Sequence, residues 1–515
     1  MRWCYILLIA GLGSSCFTET HGARIFGFFY FQGKSHFLIF ESLLKGLAER
    51  GHEVVVVSHY PQKNKINNYT DISIQGSLPP LLNGFSVDKV RNFHALNFFH
   101  FQWNENVEFC ETVLNHPEVQ KLINSDEKFD LVVTGLFGVD CWPGFAYKFK
   151  APTIAIVSSV ASPWANRRVG NPDNPSYIPN FFLSYRAPMD FRERLINSLT
   201  YLFTSWGQYY RAEQVTDRML RKYFGEDMPP SSELINNISL VFINSHFSIN
   251  QPRPAVPAFI EVGGLHIKPP QQLPKDIEEY INDAPHGVIY FSLGSMINGS
   301  TLPEEKCRAF LEAFRELPQR ILWKMDGKVL KDIPANVKTS SWLPQIDVLN
   351  HPNVRAFISH GGLHSTEEAV YTGMPVIGMP FFFDQQQNIA GLASIGMAYP
   401  LDYDSLSKET VLTAVKTVLE DRSYRQNAER LSKLFRDRPQ APLETAIYWT
   451  EYVLRHKGAP HLRSAAIDMP PYQYLLLDVI AVLFLVTGGA FAIFLFAIKK
   501  IIALGKKKTR KEKDN

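Results

Sequence analysis

Residues 23–58 constrain the fold more than any other stretch. The apolar run "ARIFGFFYF" is followed by the loop "QGKS", the amphipathic run "HFLIFESLLKGLAER", Gly51 and the β-branched run "EVVVVS". Two apolar runs with a helical period between them make a strand–loop–helix–strand unit, the crossover that parallel strands require. Gly51 falls where a helix C-cap favours a left-handed residue, and Ser35 is the expected N-cap. Further strand-like runs are "DLVVTGLF", "APTIAIVS" and "SLVFINS". A second block of the same kind runs through "HGVIYFSLGS", "RILWKMDG", "RAFISHGG" and "MPVIGMP". The pattern predicts an α/β chain of two doubly wound domains, 23–265 and 286–440, facing each other across a cleft. Residues 266–285 are proline-rich and polar and are expected to link them. A further helix and a juxtamembrane stalk are expected over 441–478.

The two ends stand apart from this fold. Residues 1–22 combine Arg2, an apolar stretch and the small-residue site "THG", as a secretory signal peptide does. Val479–Ile498 holds no charge and is about 30 Å long as a helix, enough to cross a membrane. The tail 499–515 carries eight Lys/Arg against Glu512 and Asp514, which predicts a cytosolic tail and a luminal body. The tail is net +6 and the chain net +3, so the remainder is net −3 and nothing points to nucleic acid. Lys511 and Lys513 in the final "KEKDN" resemble a dilysine retrieval signal of endoplasmic reticulum proteins. Asn68, Asn237 and Asn298 begin sequons that suit a luminal body. Beyond the signal segment only Cys110, Cys141 and Cys307 remain. Three cysteines make no disulfide framework, and no spacing suggests a metal. The aromatic stretches 93–103 and 164–210 are expected to pack in the core, with an apolar substrate pocket as the alternative.

The chemistry is concentrated in residues 342–385. "VRAFISHGG" is a buried strand ending in His360, Gly361 and Gly362, and a helix-compatible run follows from Leu363. Glycines that permit close approach, unpaired N–H groups and the positive end of a helix dipole form an anion site suited to a diphosphate. Ser295 in "FSLGS" ends a second strand and can close on the same phosphates. Glu368 can accept from vicinal ribose hydroxyls, Trp342 offers a flat face for a base, and Gln345 an amide beside it. Asp384 and Gln385 offer an acceptor and an amide to a polyhydroxylated group.

Trp342 to Gln385, with "WLPQ", "SHGG", Ser365, Glu368, Pro375, Pro380 and "DQ" in register, resembles the signature box of the UDP-glycosyltransferases. The signal peptide, the early histidine, the membrane helix and the lysine tail resemble the membrane-bound members. "DRPQAPLETAIYWTEYVLRHKGA" is similar to their arthropod branch. The resemblance implies a GT-B fold of two Rossmann-like domains plus one transmembrane helix. It also implies that Trp342 and Gln345 meet the nucleoside and Glu368 the ribose. Ser295, His360, Gly362, His364 and Ser365 would line the diphosphate, and Asp384 and Gln385 would face the sugar.

The resemblance also singles out His36 as general base, since a histidine at a helix N-terminus is kept neutral by the dipole. Asp140 would be its partner carboxylate; capping a helix from Trp142 is the alternative. Asp402-Tyr-Asp404 spells a metal-binding DxD but reads better as a turn and helix start, so no metal is expected. The expected function is inverting transfer of a sugar, glucose first, from UDP-sugar to a hydroxyl of a small lipophilic acceptor. It would take place in the endoplasmic reticulum lumen, with self-association left open. Glucuronosyl transfer, transfer to a ceramide-type lipid, or a non-catalytic sugar-nucleotide-binding membrane protein are the alternatives. A nicotinamide or flavin oxidoreductase is disfavoured, because neither domain opens with GxGxxG and a later acid.

Overall fold

Two parallel sheets organise the body. The computed structural model describes residues 22–79, 81–91, 99–326 and 330–513, so the predicted signal segment up to residue 21 lies outside the described residues. The first sheet has the order β3-β2-β1-β4-β5-β6-β7. Its strands are β1 (Arg24–Phe28), β2 (Glu53–Ser58), β3 (Tyr69–Ser73), β4 (Leu131–Gly135), β5 (Thr153–Val157), β6 (Ile238–Ile243) and β7 (Phe259–Glu261). The second has the order β10-β9-β8-β11-β12-β13. It comprises β8 (Val288–Ser292), β9 (Arg320–Lys324), β10 (Val337–Ser340), β11 (Val354–Ser359), β12 (Val376–Gly378) and β13 (Ala398–Pro400). Winding reverses between β1 and β4 and again between β8 and β11. In open parallel sheets the crevice beyond the strand ends at such a reversal is where ligands bind.

Every apolar run named above forms a strand. In β2 all residues but Glu53 are buried, as a strand covered on both faces should be. The four unanticipated strands, β3, β7, β10 and β13, are the sheet edges. They are short, and β3 ("YTDIS") and β10 ("VKTS") alternate too little to read as strands.

Helix α1 (Lys34–Glu49) buries Phe37, Phe40, Leu43, Leu44 and Leu47 against the first sheet. Its N-cap is Gly33 rather than Ser35, which lies inside the first turn. Gly51, at φ +92°, reverses the chain after the helix, and its N–H donates to the Ala48 carbonyl (3.0 Å). Helix α2 (Phe191–Gly207) departs from the expected core packing. It buries Asn197 and Thr204 and exposes Phe191, Leu195, Leu199, Leu202, Phe203 and Trp206, whereas Trp164 upstream is buried. Residues 92–98 of the earlier aromatic stretch lie outside the described residues.

The expected linker contains a helix, α3 (Lys275–Asn282). Its Ile277 and Ile281, one turn apart, enter the apolar core that holds Val288, Tyr290 and Val354, and the polar residues around them concealed this amphipathic spacing. Helices α4 (Leu363–Thr372) and α5 (Gln385–Ser394) follow β11 and β12. Helix α6 (Pro442–Arg455) returns to the first half, where Leu443 and Ile447 pack over Gly46 and Glu444 pairs with Arg50. The two crossings between halves run side by side: Arg438 Nη1 donates to the Gly263 carbonyl (2.7 Å).

Cys110 and Cys141 form a disulfide, with Cα atoms 5.8 Å apart, which the sequence reading did not foresee. Their 31-residue separation hides the proximity that the end of β4 creates. Asn68 and Asn237 are exposed; Asn298 is half-buried, and its side-chain oxygen accepts from the Ser300 N–H (3.1 Å).

Residues 464–515 form a separate unit. Its helix α7 (Leu477–Lys513) contains a 30-residue stretch, Leu477–Lys506, long and apolar enough to cross a membrane.

Candidate active site

The crevices at the two winding reversals face one cleft. Its first wall carries His36, Ser158, Ser159 and the rings of Phe31, Phe137 and Phe181. Its second carries Ser295, His360, Gly362, His364, Ser365, Asp384 and Gln385.

His36 opens α1 directly beyond β1. The rings of Phe31 and Phe137 meet it edge-on at 5.1 and 4.8 Å. Nδ1 lies 3.3 Å from Ser35 Oγ, at the start of its own helix, which leaves Nε2 for a substrate. Loss of hydration pushes its pKa down to about 4, so the ring is neutral across the physiological range. Burial, with His266 and His36 as neighbouring imidazoles, holds His364 on the opposite wall well below the usual imidazole range.

Asp140 does not partner His36. Its carboxylate accepts from Trp142 Nε1 (3.1 Å) and Arg168 Nη2 (2.6 Å), and Arg168 Nη1 donates to Glu213 (2.7 Å). All three charged groups are buried. These two carboxylates balance the charge of the buried guanidinium, whose Nε has no partner among the described residues, and Asp140 is drawn into that triad. Nor does Asp140 cap the next helix, which starts at Pro143 without a side-chain cap. Burial raises its pKa against the pull of Arg168.

On the second wall β11 delivers His360 to the mouth of α4. A Cβ at Gly294 or at Gly362 would lie 2.5 Å from the His360 ring, so both positions must be bare for the ring to sit there. Burial and nearby Lys324 push His360 down to about 3, and its Nδ1 has no partner among the described residues. Gly362 is the N-cap of α4 and supplies no side-chain cap, which leaves first-turn N–H groups for an anion. Lys324 Nζ, at the end of β9, donates to the Gly294 carbonyl (2.9 Å) beneath the same loop.

The far side of α4 holds the nucleoside candidates. Gln345 Nε2 donates to Ser365 Oγ (2.9 Å) and Glu368 Oε2 (2.7 Å), and its oxygen accepts from Tyr290 (3.3 Å). Burial pushes Glu368 up to about 7. Trp342 is 66% exposed, a ring face open to a planar ligand. These three are not among the cleft-lining residues; Gln345 joins Glu368 to the cleft through Ser365. Asp384 is pushed up to about 6 by burial and accepts from Asn388 (2.9 Å). Gln385 uses its oxygen on the N–H groups of Phe381 and Phe382 (3.0 and 3.3 Å), so its amide N–H₂ is the group it can present.

Several site residues escaped the sequence reading. Ser158, Ser159 and Lys324 follow or end strands at the ligand-binding edge, a position that could have flagged them. Arg168, Glu213, His266 and Glu367 have no local signal. His266 packs edge-on against His364 (4.4 Å), and buried Glu367 accepts from Asn244 of the first half (2.9 Å). Asp402 accepts from Ser405 Oγ (2.8 Å) and the Asp404 N–H (3.2 Å), and Asp404 pairs with Arg91 (2.7 Å), so the DxD spelling is a turn away from the cleft. No cluster of three metal-ligating side chains occurs among the described residues.

Comparison with known proteins agrees with this geometry. Residues 84–514 match the family model described as UDP-glucoronosyl and UDP-glucosyl transferase. The chain is 43% identical to UDP-glucosyltransferase 2 of Dactylopius coccus, over 96% of this chain and 95% of that one. It is 33% identical to UDP-glucuronosyltransferase 2B14 of Oryctolagus cuniculus, over 91% and 92%. The crystal structure of CalG4, the calicheamicin glycosyltransferase, superposes with a TM-score of 0.58 at 20% identity, covering 85% of this chain and 99% of that one. That match supports the GT-B fold. With two facing sheets, an anion loop in the second and a relative this similar end to end, the chain belongs to the UDP-glucuronosyl and UDP-glucosyl transferase family and is a glycosyltransferase.

Proposed function

We propose that the enzyme moves glucose from UDP-glucose to a hydroxyl of a small lipophilic acceptor with inversion, and that His36 takes the acceptor proton. The observation that carries this reading is a neutral imidazole on one wall opposite the N-terminus of α4 on the other. The acceptor O–H gives its proton to Nε2 of His36 while the oxygen attacks the anomeric carbon. The bond from that carbon to the diphosphate breaks, and its electron pair leaves with UDP. First-turn N–H groups of α4, Ser295 and His360 stabilise the charge that develops on the diphosphate. Base and leaving group act from opposite walls, so one displacement inverts the centre.

Trp342 and Gln345 would hold the uracil and Glu368 the ribose; Asp384 and the amide of Gln385 would hold sugar hydroxyls. Among the described residues no Lys or Arg lines the cleft, which favours a neutral hexose over a uronate that would need a counter-charge. The rings of Phe31, Phe137 and Phe181 suit an apolar aglycone. No metal is needed in this scheme, and turnover should survive a chelator. The lysine tail supports a luminal body in the endoplasmic reticulum membrane.

The test combines the purified full chain with UDP-glucose, UDP-glucuronate or UDP-galactose and a panel of phenols and lipophilic alcohols, read by mass spectrometry. UDP release that ignores the acceptor would end the reading. So would full turnover by a His36→Ala protein.

A further inference from the structure

A buried polar chain that the proposed transfer step does not use runs between the two walls of the cleft. It starts at Asn244, which follows β6. Asn244 Nδ2 donates to the Ser158 carbonyl (3.3 Å), on the first wall, and to Glu367 Oε2 on α4 (2.9 Å). Its oxygen accepts from the Gly264 N–H (3.3 Å). His266, two residues further along the same crossing, comes next. Its Nδ1 lies 3.6 Å from Glu367 Oε2 and its Nε2 3.8 Å from Glu368 Oε1. The chain thus joins the first wall to the carboxyl group that faces the nucleoside side of α4.

The contacts in this chain are unfinished. Both ring nitrogens of His266 and Oε1 of Glu367 are buried and have no hydrogen-bond partner among the described residues, with the backbones of His364 and Gly264 alongside. Unpaired buried polar atoms cost free energy, and three of them gather at one point. Each His266 contact falls about half an ångström short of a hydrogen bond. Burial raises Glu367 well above the usual carboxylate range and pushes His266 down to about 4, so one is a carboxylic acid and the other a neutral ring. The acid O–H can then donate to Nδ1, which leaves the ring proton on Nε2, aimed at Glu368. Donors and acceptors match along the whole chain.

We propose that His266 is a positioning residue for the nucleotide: when Glu368 takes up the ribose hydroxyls it closes on the Nε2–H of His266, whose ring Glu367 and Asn244 hold from the first wall. This rests on the reading of Glu368 as the ribose acceptor. Calorimetry on the full chain with UDP and with 2′,3′-dideoxy-UDP tests it. His266→Ala should lower the affinity for UDP about ten-fold and leave that for the dideoxy nucleotide within about two-fold of the unaltered chain. A glutamine amide reaches the place of Nε2, whereas an asparagine amide reaches only that of Nδ1. His266→Gln should therefore keep the UDP affinity and His266→Asn should lose it, a comparison that stays readable if alanine prevents folding. Equal losses of both nucleotides, no loss of either, or equal affinities of His266→Gln and His266→Asn for UDP overturn the proposal. Glu368→Gln separates this outcome from failure of the ribose reading. If Glu368→Gln binds UDP as the unaltered chain does, the ribose reading falls and the proposal with it. If it loses discrimination against the dideoxy nucleotide while His266→Ala keeps it, the proposal alone falls.

Discussion

The two winding reversals make an instructive pair. Each follows a buried strand and stands beside a glycine N-cap: His36 three residues after Gly33, within the first turn of α1, and His360 two residues before Gly362 of α4. Burial depresses both imidazoles, to about 4 and about 3. Their surroundings differ. His36 stands between phenylalanine rings with one weak polar neighbour, whereas His360 is wedged between two glycines above Lys324 and an uncapped helix end. One local plan thus yields a proton acceptor in an apolar wall and an anion cradle in a polar one. What the loop is packed against decides which.

The largest effect expected from breaking this contrast is at His36. Replacement by alanine should lower kcat about 10²–10⁴-fold and leave UDP affinity unchanged, as calorimetry and steady-state rates would show. A proportional loss of UDP binding would mean that both histidines serve the anion. Next comes Asp140→Ala. It leaves Arg168 paired with Glu213 but takes the partner from its buried Nη2, so thermal unfolding should register a loss of about 3 kcal/mol while the pH profile of kcat keeps its shape. Normal stability with a collapsed kcat would restore a His36–Asp140 dyad. Gly362→Ala is smaller. The new Cβ meets the His360 ring, and UDP affinity should fall by about 1–3 kcal/mol with kcat at saturation little changed.

The smallest effect is a pH dependence confined to the anion side. Glu368, raised to about 7, is ionised above that pH and protonated below it, when it loses an acceptor site for ribose. KM for the UDP-sugar should therefore rise as pH falls from 8 to 6, and Glu368→Gln should flatten that slope. His36 stays neutral throughout this window, so kcat should not follow.

Much of this was legible because it is local. The β-branched run of β2 and the glycines after His360 state their conformation in the chain itself. What escaped depends on distant partners. Asp140 looked like a companion for His36 until the fold brought Arg168 to it, and Cys110 meets Cys141 only because β4 ends beside the helix Asn106–Leu114. Edge strands carry too few apolar residues to announce themselves. Helix α2 misled for the opposite reason: its apolar spacing is regular, but period alone does not say which side is inward.

The tie between Arg438 and Gly263 has a mechanical consequence. It is one of several ties: Asn244 donates to Glu367, the N–H groups of Asn83 and Phe85 donate to the Ser295 and Met296 carbonyls, and Arg91 pairs with Asp404. A cleft whose halves are clasped at several points keeps His36 opposite α4, so successive substrates would encounter one approach geometry.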